Sequence, residues 1–276
     1  MFGVLLLTHK NKNHIIKLKK TNMKTFKLLI CSLLLFSQLY AQNERSAFRR
    51  GYLRLGISSL GSSLDNNLSP KENVFNGNYG ASSGFVFESG HNFYFKSRAN
   101  EDKINFGLDW TILSLTYNKL DKWDGYTDAR QASAYTEGSD FSASIASKLG
   151  PVISFNPVEK LVIDVRIQAA AIGRVTPFEY YENEEQPDFN SFAFYNYGEE
   201  EVNEGFDASS IKNRIAFGIG SNFGITVRRK AIGLSVDYSS VKAKTNYDAY
   251  EGQDKHSFGS QKIPTHSLQI KLSFTL

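Results

Sequence analysis

The chain has 276 residues, enough for one or two ordinary domains, with 32 basic residues against 28 acidic ones, 41% hydrophobic and 13% aromatic content. The formal charge of +4 belongs to one end: residues 1–42 hold seven lysines and no acid, which leaves 25 basic against 28 acidic residues beyond them. An acidic body removes the electrostatic ground for nucleic-acid binding, and the lack of a Gly repeat, of Cys pairs and of any apolar run of about 18 residues excludes collagen, disulfide scaffolds and polytopic helical membrane proteins.

From Met23, two lysines (Lys24 and Lys27), the apolar stretch Leu28 to Phe36 and the segment Ser37 to Gln42 follow in the order of a secretory signal peptide over 23–42, with cleavage expected after Ala41 or Gln42. Residues 1–22 precede a complete signal and read as an over-extended start or a long n-region. Cys31 sits inside the apolar stretch, with Leu33 to Phe36 after it, so no lipid anchor is expected. Beyond the leader there is no thiol, hence no disulfide and no Cys-based chemistry.

Residues 43–276 repeat one pattern: apolar and polar residues alternate with period two, the signature of strands with one apolar face. Segments run over about 47–58, 84–96, 104–117 and 141–155. Leu161, Ile163, Val165, Ile167, Ala169 and Ala171 then oppose Asp164, Arg166 and Gln168. Ile215, Phe217, Ile219, Phe223, Ile225 and Val227 alternate with small residues, among them Gly218, Gly220 and Gly224, which make room on the polar face. Ile232, Leu234, Val236 and Tyr238 follow, and Leu268, Ile270, Leu272, Phe274 and Leu276 close the series of eight. In the third segment the apolar set moves from Ile112 to Leu113, which predicts a bulge; Gly150-Pro151 predicts another in the fourth.

The connections decide the architecture. Those after the second, fourth and sixth segments are short, whereas long polar loops are expected near 59–83, 118–140, 175–210 and 242–264. Strands of about ten residues in even number, with tight turns at one end and long loops at the other, suit an all-β, eight-stranded up-and-down antiparallel transmembrane β-barrel, with ten strands as the fallback if Ser191 to Tyr197 adds a hairpin. A soluble barrel would share the alternation but turn its apolar face inward. The exporting leader, the alternating loop lengths and the aromatic residues Phe93, Phe95, Tyr117, Phe155 and Tyr238 near strand ends favour the membrane.

The last strand, alternating from Leu268 and ending Phe274-Thr275-Leu276, resembles the terminal signal of outer-membrane barrels, with Lys271 where a Gly is usual and Leu276 in place of a final Phe. The layout of residues 46–276 resembles the small outer-membrane β-barrels of the OmpA/OmpX type. That resemblance implies a place in the bacterial outer membrane, surrounding outer-membrane lipid, and the barrel assembly machinery as a partner during biogenesis. It implies no particular activity.

On the polar face lie Arg54, Glu88, Asp109, Lys148, Asp164, Arg166, Asp237 and Lys271, four of each sign. An eight-stranded lumen is filled by side chains, so these charges are expected to pair as a plug; a narrow channel or small-solute transporter is the alternative, and a wide porin is excluded by strand number. The 175–210 loop is acidic and aromatic, with no Lys or Arg from Thr176 to Ser210. Glu182, Glu184, Glu185, Asp188, Tyr195, Tyr197, Glu199, Glu200 and Glu201 are its candidates for binding an extracellular partner or a cation. No ordered calcium-loop spacing is present, and no cofactor or resident metal is expected. For catalysis only Ser89 and His91 share a strand face, in the order opposite to that of lipid A deacylases and with no carboxylate on the neighbouring outward face, so an enzyme is not expected. The expected role is structural or interaction-based, carried by the loops.

Overall fold

The computed structural model describes residues 47–95, 103–138, 140–183, 187–194, 215–252 and 254–276, with only the backbone for Glu137 and Gly138. The expected signal peptide over 23–42 and the stretch 1–22 lie outside them. Among the described residues there are eleven strands and two short helices. They are β1 (Gly51–Leu60), α1 (Pro70–Phe75), β2 (Gly84–Tyr94), β3 (Ile104–Lys119), α2 (Trp123–Arg130), β4 (Ala134–Gly138), β5 (Phe141–Val158), β6 (Leu161–Val175), β7 (Phe178–Glu182), β8 (Asn190–Ala193), β9 (Ile215–Arg229), β10 (Ile232–Glu251) and β11 (His256–Thr275).

Eight of these strands pair antiparallel in the order β1-β2-β3-β5-β6-β9-β10-β11, and β11 returns to β1 from Tyr52↔Thr275 to Leu60↔Ser267. The sheet is therefore closed. Closure matters because a spanning sheet must pair its backbone N–H and C=O groups internally. Each of the tight turns after β5 and β9 reverses the chain with one residue in the left-handed region, Lys160 at φ 60° and Lys230 at φ 58°.

The alternation reads directly in exposure. Ile219 is 77% exposed, Phe217 66%, Leu272 53%, Leu268 49% and Ile270 43%, while Lys271, Ser273 and Arg166 are buried at 1% or less. Apolar side chains point outward and charged ones inward. Phe93, Phe95, Tyr117, Phe155 and Tyr238 all stand on the outer surface.

The bulge in β3 falls where the apolar set changes phase: consecutive Ser89 and Gly90 of β2 pair with Leu113 and Thr111, skipping Ile112, and the register with β5 shifts between Thr111 and Ser114. The bulge expected at Gly150-Pro151 is absent. Pairing with β3 runs through both residues, and the register with β6 is the same at Leu149↔Ala169 and Val152↔Arg166. The proline interrupts the β6 side locally without inserting a residue; the bulge in β5 lies between Phe155 and Val158.

The loop expected over 242–264 is also corrected. Lys242↔Pro264 through Tyr250↔His256 are paired, so β10 continues to Glu251 and β11 begins at His256, the two forming a hairpin above the barrel. The ring keeps eight strands rather than ten. The extra strands β8, β7 and β4 pair in series onto the upper part of β10, from Asp248↔Ala193 outward, making a five-stranded arm of order β11-β10-β8-β7-β4. In the 59–83 connection α1 begins at a capping box: Ser69 Oγ accepts from Glu72 N at 3.2 Å, Glu72 Oε2 accepts from Ser69 N at 2.8 Å, and Pro70 opens the helix.

Candidate functional site

Each of the eight barrel strands sends at least one charged side chain inward, so closing the ring gathers them. Arg54, Glu88, Asp109, Lys148, Asp164, Arg166, Asp237 and Lys271 are all 3% exposed or less. Glu88 is the hub: its carboxylate meets Lys148 Nζ at 2.6 Å, Lys271 Nζ at 2.7 Å and Arg54 at 3.5 Å. Asp237 pairs with Arg166 at 2.6 Å and with Lys271 at 2.8 Å. Asp109 accepts from Tyr52 Oη at 2.5 Å, from Gln168 Nε2 at 3.0 Å and from Arg54 at 3.4 Å. The remaining carboxylate, Asp164, belongs to a second group nearer the tight turns, where Ser154 Oγ donates to it at 2.5 Å and Arg228 Nε at 2.9 Å.

Several members escape a reading based on charge alternation alone. Arg228 adjoins a turn and reads from sequence as part of it, yet it is 1% exposed and also donates to Ala47 O at 2.9 Å. Neutral groups tie the ions together: Asn222 Nδ2 donates to Gln168 Oε1 at 2.9 Å, and Thr226 Oγ1 accepts from Arg166 at 2.7 Å. Gly224 is required by the same packing, because a Cβ there would lie 2.1 Å from Asp237 Oδ1. The alternating signal around it shows only that the face is inward.

Above this plug lies a small cavity of ≈ 30 Å³, lined among others by Ser58, Asn118, Lys148, Arg174 and Gln269. That is room for about two waters. Arg174 bonds to Thr265 and lies over the Tyr79 ring at 5.7 Å. A second closure then follows. Leu60, Val74, Tyr79, Leu120, Trp123, Tyr126, Phe178, Tyr180, Phe192, Ala249 and Ile263 form a buried apolar cap contributed by both helices, the arm and the upper barrel rim. Trp123 is its centre, 4.8 Å from Tyr180 and 5.0 Å from Phe178 between ring centroids, with its indole N–H on Tyr79 O at 3.1 Å. Burial raises the Tyr126 phenol above its usual range and pushes Tyr180 up to about 12.

Of the acidic-loop candidates, the described ones serve the arm. Glu182 is 3% exposed and accepts from Arg130 Nε at 3.0 Å, and Asp188 Oδ2 accepts from Asn183 at 2.8 Å. Glu184, Glu185, Tyr195, Tyr197, Glu199, Glu200 and Glu201 lie outside the described residues. Among the described residues no three His, Cys, Asp or Glu side chains are grouped to hold a metal. His91 packs on Phe93 at 4.7 Å; the other described histidines, His256 and His266, meet Asp248 at 2.6 Å and Tyr238 Oη at 2.9 Å.

A closed, even-stranded sheet with an apolar exterior and an ionic interior is the architecture of a transmembrane β-barrel. No family model matches the chain and no curated protein matches it. Among solved structures, it is similar to a major outer membrane protein from Thermus thermophilus, with 7% identity and a TM-score of 0.39, covering 83% of this chain and 100% of that one. It is also similar to the outer membrane protein Ail of Yersinia pestis, with 9% identity and a TM-score of 0.31 over the same shares. The barrel assignment rests on the strand pairing and the polarity of its two faces.

Proposed function

We propose that this chain is a plugged outer-membrane barrel whose work is done outside the bilayer, as a scaffold presenting a rigid β-arm for interaction at the cell surface. The observation that carries the reading is the double closure of the lumen, first by the ion network around Glu88 and then by the Trp123-centred cap. Eight strands leave only enough interior for side chains, and here the side chains fill it.

Among the described residues, β4 and the upper part of β11 form the two outer strands of the arm, which exposes Tyr135, stacked on Tyr181 at 5.1 Å, together with Phe258. Outer strands and exposed aromatics are features that interaction surfaces use.

The separating measurement is planar-bilayer conductance of the folded full chain. The plugged scaffold stays electrically silent at voltages the bilayer tolerates. Steady discrete currents would instead support a narrow channel and overturn this reading.

A further inference from the structure

The outer wall of the barrel is not uniform. On the lipid side of β6, Ala171 lies between Ser147 of β5 and Ile219 of β9, and Gly173 lies between Ile145 and Phe217. A Cβ at Gly173 would sit 3.6 Å from both Ile145 Cγ2 and Phe217 Cε1, so the glycine leaves a gap of about a methyl group between two large walls. The furrow along this row has a volume of ≈ 870 Å³ and ends upward at Lys242, Lys244 and Lys262.

Those three lysines are placed by the register. Lys242 is opposite Ile219, and Lys244 is opposite both Phe217 and Lys262. All three are exposed, and none is ion-paired among the described residues. Across β6, β9, residues 232–244 of β10 and residues 262–275 of β11 the only carboxylates are Asp164 and Asp237, and both point into the lumen. Adjacent like charges on one sheet face destabilise each other unless an anion joins them. The lysines stand at the upper end of the apolar belt, where their stems can lie along the wall while the ammonium groups remain at headgroup level.

We propose that this furrow is a binding site for a phosphorylated, multiply acylated lipid of the leaflet on the long-loop side, with its acyl chains along Ala171 and Gly173 and its phosphate held by Lys242, Lys244 and Lys262. The site rests on the barrel lying in a bilayer. Its ligand is defined by two chemistries that meet at one place, an apolar trough and a trio of cations with no ion pair among the described residues.

Trp110 makes the site observable. It faces outward from β3 and donates its indole N–H to Ser147 Oγ at 3.1 Å, beside the furrow, whereas the other tryptophan, Trp123, is buried in the cap. The full-length barrel is refolded into phosphatidylcholine vesicles containing, as a minor component, either phosphatidic acid with dibrominated chains or equally brominated phosphatidylcholine, and tryptophan quenching is compared. The expected result is an excess of quenching by the phosphatidic acid equivalent to at least roughly tenfold enrichment, since each lysine near a membrane surface contributes about fivefold. K242Q/K244Q/K262Q is expected to abolish the excess, and A171F, which fills the trough, to abolish it as well, with heat-modifiable migration on gels showing that both variants fold.

Equal quenching by the two lipids in the unaltered protein would overturn the site, and so would an excess that survives A171F, because the lysines would then be collecting anions without the trough. Quenching by neither lipid would place this wall outside the acyl region, a failure of the membrane assignment itself. A dimer cross-linked through this face in vesicles free of anionic lipid would give the furrow to a second copy and also overturn the proposal.

Discussion

Glu88 of β2 draws its three cations from three other strands, Arg54 on β1, Lys148 on β5 and Lys271 on β11, so four of the eight ring strands meet through one carboxylate. Burying ions is costly, and an apolar filling would often be as stable. What the ions add is register. A one-residue slip of any barrel strand would turn its charge toward lipid, where a midplane Lys or Arg costs about 2–4 kcal/mol. Removing the hub should therefore be severe: E88Q leaves Lys148 and Lys271 without their nearest counter-charge and is expected to lower barrel stability by about 3–5 kcal/mol, measured by urea unfolding in lipid vesicles. A loss below about 1 kcal/mol would show that the network is dispensable. At this scale the sequence was partly legible. Period two put eight charges on the inward face, but nothing in the alternation marks which ion meets which. Arg228 was missed because a residue two positions from a turn end looks like part of the turn.

Strands proved more readable than loops, and the reason is lipid. Within the bilayer one face must be apolar, so β9 and the lower half of β11 announce themselves; above it no face needs to be. Lys242 to Gln261 alternate weakly because the arm is wetted, yet their backbones pair without interruption from Val241↔Thr265 to Tyr250↔His256. Alternation reports burial asymmetry, and pairing continues after that asymmetry ends. Pro151 misled in the opposite sense, since its ring sits on the exposed outer face and the register is carried past it. The cap was not foreseen, although Ser69-Pro70-x-Glu72 is a readable helix start. Its stability has a pH limit. Tyr126 and Tyr180 ionise less readily in the folded cap than in an unfolded chain, where a phenol titrates near about 10. The sign follows: the neutral phenols' contribution is complete below pH about 10 and is lost as the pH rises from there toward about 12. In a W110F background, acrylamide access to Trp123 is expected to increase across that interval, and Y126F/Y180F should keep the indole shielded to higher pH. Identical curves for the two proteins would assign the opening to other groups.

Taken whole, the molecule has two barriers in series, and they belong to different structural units. The plug is built from side chains of the closed ring below residue 241 of β10; the cap is built from helices and from an arm that begins where the ring's outer wall turns from apolar to basic. Ring closure needs only β1 against the lower half of β11, Leu60↔Ser267 being the last pair. The arm should therefore be separable. Joining Lys244 to Lys262 through an Asn-Gly turn, which favours the type I′ geometry of a two-residue hairpin, removes the upper hairpin without touching a ring pairing between β1 and β11. The shortened barrel is expected to fold, to keep heat-modifiable migration and to remain electrically silent, because the Glu88–Lys148–Lys271 cluster still fills the lumen. Discrete channels on removal of this hairpin alone would transfer the sealing role to the cap. Failure of the shortened chain to fold in vesicles would show that the arm is part of the barrel's own folding unit, which the closed hydrogen-bonded ring does not require.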